Sequence, residues 1–306
     1  MRYRVFGRTG FEVSTVSMGC NRLGDPGADP AQWPPIVEQA LALGVNFFDT
    51  SNSYNQGRSE AVLGDVLSVY PRRTYVSTKV GIPVETNDTS HKDFSARSIL
   101  VEVENSLSRL RRETIDLYML HSPTVRELET VDWATAVDKL KAQGKVRYFG
   151  ISTQNHASGI WAIGHGADFL QIEYHILDWS AEDELLPLAQ RENVGIMVRM
   201  PLARGLLTGK FPVGQPIPPE QQWRRPTGDL LQTRLQRIEQ LRFLEREGQT
   251  MAQAAIRFVL SHPAVHCAIP GARTPAQLEA NVAASDGDLT PAELSQIRER
   301  QREWGS

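Results

Sequence analysis

Asp49, Tyr54, Lys79 and His121 are residue types that together can pass a proton to a carbonyl oxygen. Asp49, Lys79 and His121 each close a short β-rich run, over Val45–Phe48, Thr74–Thr78 and Ile115–Leu120, and Tyr54 follows Asp49 in the next loop. Reducing a carbonyl needs a hydride at carbon and a proton at the developing alkoxide. A phenol ionises only near pH 10, about three units above neutral, so a tyrosine donor needs help. A lysine ammonium beside it favours the phenolate, an aspartate holds that lysine charged and aimed, and a histidine can orient the carbonyl oxygen. No side chain supplies a hydride, so the set requires a cofactor. Taken singly, an Asp after a strand is often a helix cap and a Lys there is solvated. Four such residues at one level are not explained that way.

The elements that must position them read as repeated strand–helix units. β-rich runs fall at Thr15–Met18, Val45–Phe48, Thr74–Thr78, Ile115–Leu120, Val146–Ile151, Phe169–Glu173, Val194–Val198 and Val265–Ile269. Helical patterns between them include Ala31–Leu43, Ser59–Val69, Ala96–Arg111, Val131–Ala142, Ala181–Arg191 and Leu231–Glu247. Eight such units predict an α/β fold closed as a (β/α)8 TIM barrel, with residues 1–306 forming one domain. Barrel enzymes keep their chemistry at the C-terminal ends of the strands, which is where the four residues fall. A doubly wound sheet is the competitor, but Met18 to Gly24 lacks the GxGxxG spacing of its first turn. Arg2 to Val13 reads as an N-terminal hairpin turning at Arg8-Thr9-Gly10, and Pro291–Trp304 as an extra C-terminal helix. The Pro-rich stretch from Phe211 to Pro226 is an active-face loop suited to covering a ligand.

The 306 residues carry a formal charge of -3, which gives no general attraction to nucleic acid or an anionic membrane. Cys20 and Cys267 form no CxxC motif and are expected as reduced thiols. The N-terminus lacks the apolar run of a signal peptide, and no stretch is long and apolar enough to span a bilayer. A cytoplasmic protein without membrane or nucleic-acid partners is the expectation, and no cluster has metal-ligand spacing.

The stretch from Gly44 through Asp49, Tyr54 and Glu60 to Gly64 resembles the first signature of the aldo-keto reductase superfamily, in the branch that includes potassium-channel β subunits. Ser77-Thr78-Lys79, Leu120-His121-Ser122, Gly150-Ile151-Ser152, Gln171-Ile172-Glu173-Tyr174, Gly205 to Lys210 and Ile269 to Asn281 continue the resemblance in order. It implies a tetrad of Asp49, Tyr54, Lys79 and His121 acting on an aldehyde, ketone or sugar carbonyl with a nicotinamide cofactor. Gly19, Cys20, Asn21 and Asp49 would lie near the nicotinamide, and Ser152 and Gln171 would bond its carboxamide. Leu202, Gly205, Leu207 and Lys210 would line the pyrophosphate. Gly271, Arg273, Gln277 and Asn281 would hold the adenosine end. Arg273 at a helix start suits a 2′-phosphate, which favours NADP(H) over NAD.

The chain departs from this pattern twice. Arg199 stands where many relatives carry an aromatic ring against the nicotinamide; a guanidinium can stack there or pair with a substrate anion, stacking being the more conservative reading. Ala280 stands before Asn281 where relatives often have Glu, removing one adenine contact. Trp223, Arg224 and Arg225 are candidates for closing on cofactor phosphates. Tyr174 and His175 either line the pocket or pack; Trp33, Trp161 and Trp179 read as packing, and His156, His165 and His262 as surface or helix residues.

Two other classes compete. A cofactor-binding, redox-sensing regulatory subunit is opposed by the intact tetrad and by the lack of an N-terminal extension. A Schiff-base aldolase acting through Lys79 leaves Tyr54 and the Arg273 motif unexplained.

Overall fold

The structure, a computed structural model, describes residues 1–70, 73–222 and 225–305. Two antiparallel strands, β1 (Tyr3–Val5) and β2 (Glu12–Ser14), form the hairpin, with a 3-10 turn at Gly7–Thr9. Eight parallel strands follow among the described residues: β3 (Met18–Gly19), β4 (Phe47–Asp49), β5 (Tyr75–Val80), β6 (Ile115–His121), β7 (Val146–Ser152), β8 (Phe169–Glu173), β9 (Gly195–Arg199) and β10 (Cys267–Ala268). Each pairs with its neighbour in sequence order. The sheet curls shut through the parallel bridges Val16↔Ala268 and Gly19↔Gly271. Ser17 N donates to Ala268 O at 2.8 Å, and Ala268 N donates to Thr15 O at 2.9 Å.

The helices are α1 (Trp33–Ala42), α2 (Arg58–Leu67), α3 (Ala96–Leu110), α4 (Val125–Thr130), α5 (Ala134–Ala142), α6 (His156–Gly164), α7 (Leu185–Arg191), α8 (Gly228–Glu239), α9 (Met251–Ser261), α10 (Pro275–Val282) and α11 (Pro291–Trp304). Side-chain caps fix several starts: Ser95 for α3, and Thr124, Thr250 and Thr290 in reciprocal capping boxes for α4, α9 and α11. No helix among the described residues is long and apolar enough to cross a membrane.

The barrel has two apolar layers. Strands buried on both faces carry near-continuous apolar runs, as in Ile115–Leu120, which pack outward on the helices and inward on each other. The inner layer gathers Phe6, Phe11, Val13, Phe47, Leu117, Met119, Phe169, Met197, Cys267 and Ile269. Phe6 enters from the hairpin, its ring centroid 6.0 Å from Phe47 and 6.1 Å from Phe169. Gly195 makes room for it: a Cβ there would meet the Phe6 ring at 2.7 Å. The hairpin therefore plugs the N-terminal end of the barrel, opposite the end that carries the polar strand termini.

Several boundaries shift from those read in the sequence. The first barrel ladder lies at Met18–Gly19, because Thr15–Ser17 bond to the last strand instead. Helix Val131–Ala142 is cut at its start: Val131 is extended, ending α4, and α5 begins at Ala134. The pattern over Ala181–Arg191 resolves into a 3-10 turn at Ser180–Glu182 and then α7. The pattern over Leu231–Glu247 ends at Glu239, and α9 follows. Residues 254–260 of α9 are buried without interruption, Arg257 among them.

Candidate active site

Asp49 ends β4, and the parallel register sets it opposite Ser77 on β5, two residues before Lys79. Lys79 is fully buried, and its Nζ donates to Asp49 Oδ2 at 2.8 Å, Asp49 Oδ1 at 3.0 Å and Thr50 O at 2.7 Å. Burial alone would favour the neutral amine, but the Asp49 carboxylate and then Tyr54 outweigh it and raise the Lys79 pKa above its ordinary value. Asp49 Oδ1 also accepts from Ser77 Oγ at 2.7 Å and Gln171 Nε2 at 2.8 Å. A buried ion pair of this kind stays charged only when its remaining lone pairs and protons are satisfied, as they are here. The Tyr54 ring centroid is 4.8 Å from Lys79 Nζ and 6.0 Å from the His121 ring, edge to face. Ser51 Oγ lies 3.3 Å from His121 Nδ1. The four residues chosen from the sequence therefore share one site.

Tyr54 is held by an unusual turn. Asn55, Gln56 and Gly57 follow it with φ of 50, 58 and 81°, three consecutive left-handed residues. Ser122, Met200, Ala203 and Arg204 add non-glycine left-handed residues after the ends of β6 and β9. Such conformations cost about 1–2 kcal/mol each and cluster where a site over-determines its backbone.

Beside the tetrad, Ser152 Oγ donates to Gln171 Oε1 at 2.9 Å, extending the hydrogen-bonded chain Ser152–Gln171–Asp49–Lys79 across four strands. Arg199 reaches back over this row: Nη1 lies 3.2 Å from Glu173 Oε2, and Nη2 donates to Thr153 O at 3.2 Å. Burial would raise the Glu173 pKa, but His175 and Arg199 hold it down at about 2, so the pair stays ionised.

A second group gathers at the junction of the first, seventh and eighth units. Gly19 pairs with Gly271, the buried Cys20 donates its backbone N–H to Asp49 O at 2.8 Å, and Asn21 Oδ1 approaches Gly271. Leu202, Gly205 and Leu207 lie in the kinked turn after β9, with Gly205 at φ 85°. Arg22, Arg204, Lys210, Arg225 and Arg273 form a mutually repelling set. Burial and then neighbouring cations lower the pKa of Arg22, Lys210 and Arg225. Asp25 lies 3.7 Å from Arg22 and opposes that repulsion.

Gln277 Oε1 accepts from Arg273 N at 2.9 Å and Asn281 Nδ2 donates to Gly271 O at 3.3 Å, so both brace the loop that carries Arg273. Lys210 Nζ donates to Gln221 Oε1 at 3.1 Å, fastening the Pro-rich loop to the turn. Trp223 and Arg224 lie outside the described residues. Arg22 and Arg204 were not singled out in the sequence; their signal was only a basic residue in the loops after β3 and β9.

A profile of the aldo/keto reductase family matches residues 15–302. The chain belongs to the aldo/keto reductase family. It is 30% identical over 281 residues to the NADH-specific methylglyoxal reductase of Escherichia coli, covering 86% of this chain and 85% of that protein. A putative voltage-gated potassium channel subunit beta of Schizosaccharomyces pombe is 33% identical over 324 residues, covering 97% and 92%. The solved aldo-keto reductase AKR11C1 of Bacillus halodurans, in its holo form, is similar with a TM-score of 0.83 at 30% identity, covering 98% of this chain and 96% of that one. The family, its oxidoreductase character and the barrel agree with the sequence reading.

Other residues singled out in the sequence serve packing. Tyr174 is buried, donates to Glu182 Oε1 at 2.5 Å and stacks on Phe258. Trp33 lies in the core between barrel and helices, and Trp161 and Trp179 pack against it. His156 starts α6, exposed His165 follows its end stacked on Trp161, and His262 follows α9 with its edge to Tyr174.

Proposed function

We propose that this aldo/keto reductase uses NADPH to reduce aldehyde or ketone carbonyls to alcohols, or runs the reverse reaction, with Tyr54 as the proton donor. The observation that carries the reading is the fully buried Lys79 ammonium, fixed by the Asp49 carboxylate at 2.8 Å and lying 4.8 Å from the Tyr54 ring centroid. In the reductive direction the Tyr54 hydroxyl gives its proton to the carbonyl oxygen, and the phenolate left behind is stabilised by Lys79. Asp49 keeps that lysine charged through the cycle, and His121 orients the carbonyl oxygen beside Tyr54. Residues 1–306 act as one barrel unit in the cytoplasm, a setting in keeping with two buried free thiols.

The cations fit a phosphorylated nicotinamide cofactor. Arg22, Arg204, Lys210, Arg225 and Arg273 repel one another across one face, an arrangement relieved by a polyanion. Ser152 and Gln171 would hold the carboxamide, with Gly19, Cys20 and Asn21 beside the nicotinamide; Leu202–Leu207 and Lys210 would take the pyrophosphate, and Arg273, with Arg22 and Arg225, the 2′-phosphate. Gln277 and Asn281 would act on this end by bracing Gly271 and Arg273. When bound, the cofactor supplies the hydride that no side chain can provide. The Escherichia coli relative is named NADH-specific, so the preference for NADPH rests on this chain's own cations. The regulatory reading, suggested by the channel-subunit relative, is less well supported because the proton-donor set is intact.

Tyr54→Phe tests the reading. NADPH should still quench tryptophan fluorescence with a Kd within about threefold of the parent, while NADPH oxidation with a reactive aldehyde falls by about 10²–10⁴-fold. Parental turnover in that variant removes Tyr54 as donor.

A further inference from the structure

The tetrad accounts for what surrounds Lys79 inside the barrel, but not for what keeps the Tyr54 turn in its left-handed path. The support lies outside the barrel, in the layer between β5 and helices α2 and α3. Glu60, in the first turn of α2, is a carboxylate with no exposed surface. Its Oε1 accepts from Thr78 Oγ1 at 2.5 Å, and Thr78 is the residue before Lys79. Its Oε2 accepts from Arg109 Nε at 2.6 Å, on the last turn of α3.

Arg109 in turn underlies the loop of Tyr54. At Gly57, the third left-handed residue after it, a Cβ would meet Arg109 Cδ at 2.8 Å and Nε at 2.9 Å. Arg109 Nη2 is also 4.0 Å from Glu102 Oε2, which accepts from Asn52 Nδ2 at 2.9 Å, two residues before Tyr54. One ion pair, its Glu60 carboxylate buried and its Arg109 guanidinium half-buried, therefore touches the strand of Lys79 on one side and the loop of Tyr54, before and after the tyrosine, on the other.

We propose that Glu60 and Arg109 are positioning residues that set the Tyr54–Lys79 geometry from outside the barrel wall. This rests on the reading of Tyr54 and Lys79 as the proton-transfer pair. The alternative is a salt bridge that only stabilises the packing of α2 on α3. The two differ in what they disturb. A stability device lowers the melting temperature and leaves the surviving folded enzyme unchanged; a positioning device changes proton transfer in enzyme that is fully folded.

The test compares wild type, Arg109→Lys, Arg109→Met and the double variant Glu60→Gln/Arg109→Met. The double variant removes both charges, so a folded protein can be measured even if Arg109→Met, which strands a buried carboxylate, does not fold. For the double variant we expect an NADPH Kd within about threefold of wild type, a kcat at least about tenfold lower with KM little changed, and a displaced pH profile of kcat. Arg109→Lys should restore part of kcat. A folded double variant with the wild-type kcat and pH profile overturns the proposal. So does a loss of kcat that disappears when corrected for unfolded protein. If wild type turns over no carbonyl with NADPH, the reading of the function has failed, and the positioning role is then read separately. The ultraviolet titration of the Tyr54 phenol, taken as wild type minus Tyr54→Phe, should shift in the double-variant background. An unchanged phenol titration overturns the positioning role on its own.

Discussion

Lys79 and Arg199 show how two cations at one barrel rim are put to different uses. Lys79 is enclosed and saturated by Asp49 and Thr50. Arg199 is tethered by Glu173 and Thr153, and its Nε is buried with no hydrogen-bond partner among the described residues. A spare buried donor is costly unless something uses it. Arg199→Met separates its two possible uses: stacking on the cofactor predicts weaker NADPH binding by about 3–10-fold for every substrate, whereas anion pairing predicts loss of preference for carboxylate-bearing aldehydes at unchanged NADPH affinity. Titration of NADPH by tryptophan quenching, with KM for charged and neutral aldehydes, decides between them. At the adenosine end, Arg273→Ala should weaken NADPH by about 10–100-fold and leave NADH nearly unchanged, the worth of one charge-assisted contact. Equal losses for both cofactors would remove the phosphate assignment. The tetrad was legible in the sequence because each member sits at a fixed offset from a strand end. Arg22 and Arg204 were not, since a basic loop residue looks like any solvated one until the barrel brings three distant loops together.

Among the elements, the strands were the most legible. A strand buried on both faces leaves an uninterrupted apolar run, and β8 begins and ends where Phe169–Glu173 was read. α9 was not read, although Gln253, Arg257 and Ser261 recur at i, i+4 and i+8 on one side of it. The link from Glu60 through Arg109 to the Tyr54 loop was illegible, because side chains on α2 and α3 meet only after both pack on the sheet. β6 carries one further oddity: Tyr118 is fully buried and its hydroxyl has no hydrogen-bond partner among the described residues, while burial and then Glu60 and Glu102 raise its pKa well above the ordinary value. Tyr118→Phe is therefore expected to be neutral or to stabilise by about 1 kcal/mol, because a buried unpaired hydroxyl carries a desolvation cost. Urea unfolding at neutral pH measures it, and a loss exceeding about 1 kcal/mol would show that the hydroxyl is paired in solution.

For the molecule as a whole, the plugged end of the barrel sets a pH dependence. His266 precedes β10 with its ring edge-on to Phe6 at 5.5 Å, and its Nδ1 accepts from Ile196 N at 3.0 Å. Burial and then Arg4 push its pKa from 6.5 down to about 4. The unfolded ring takes a proton near its ordinary value, while the folded ring resists until about 4, so protonation favours unfolding. The stabilising contribution is complete above about pH 6.5 and is lost progressively down to about pH 4. Urea midpoints should fall over that window, and His266→Gln should flatten the slope; equal slopes would show that other groups account for it.

The seam that closes the sheet has a bearing on how the protein is made. β3 and β10 are two residues each, and Val16 and Gly19 find their partners only at Ala268 and Gly271. A ribosome must therefore deliver the chain as far as Gly271 before the first strand can meet the last. Until then the nascent chain carries an open sheet with two unpaired edges, the form most exposed to association with other chains. Closure of so long a loop adds little to the entropic cost per residue but delays the final contacts. Translation speed and chaperone supply while the segment carrying β10 is made are thus the conditions to which the yield of native protein should respond most.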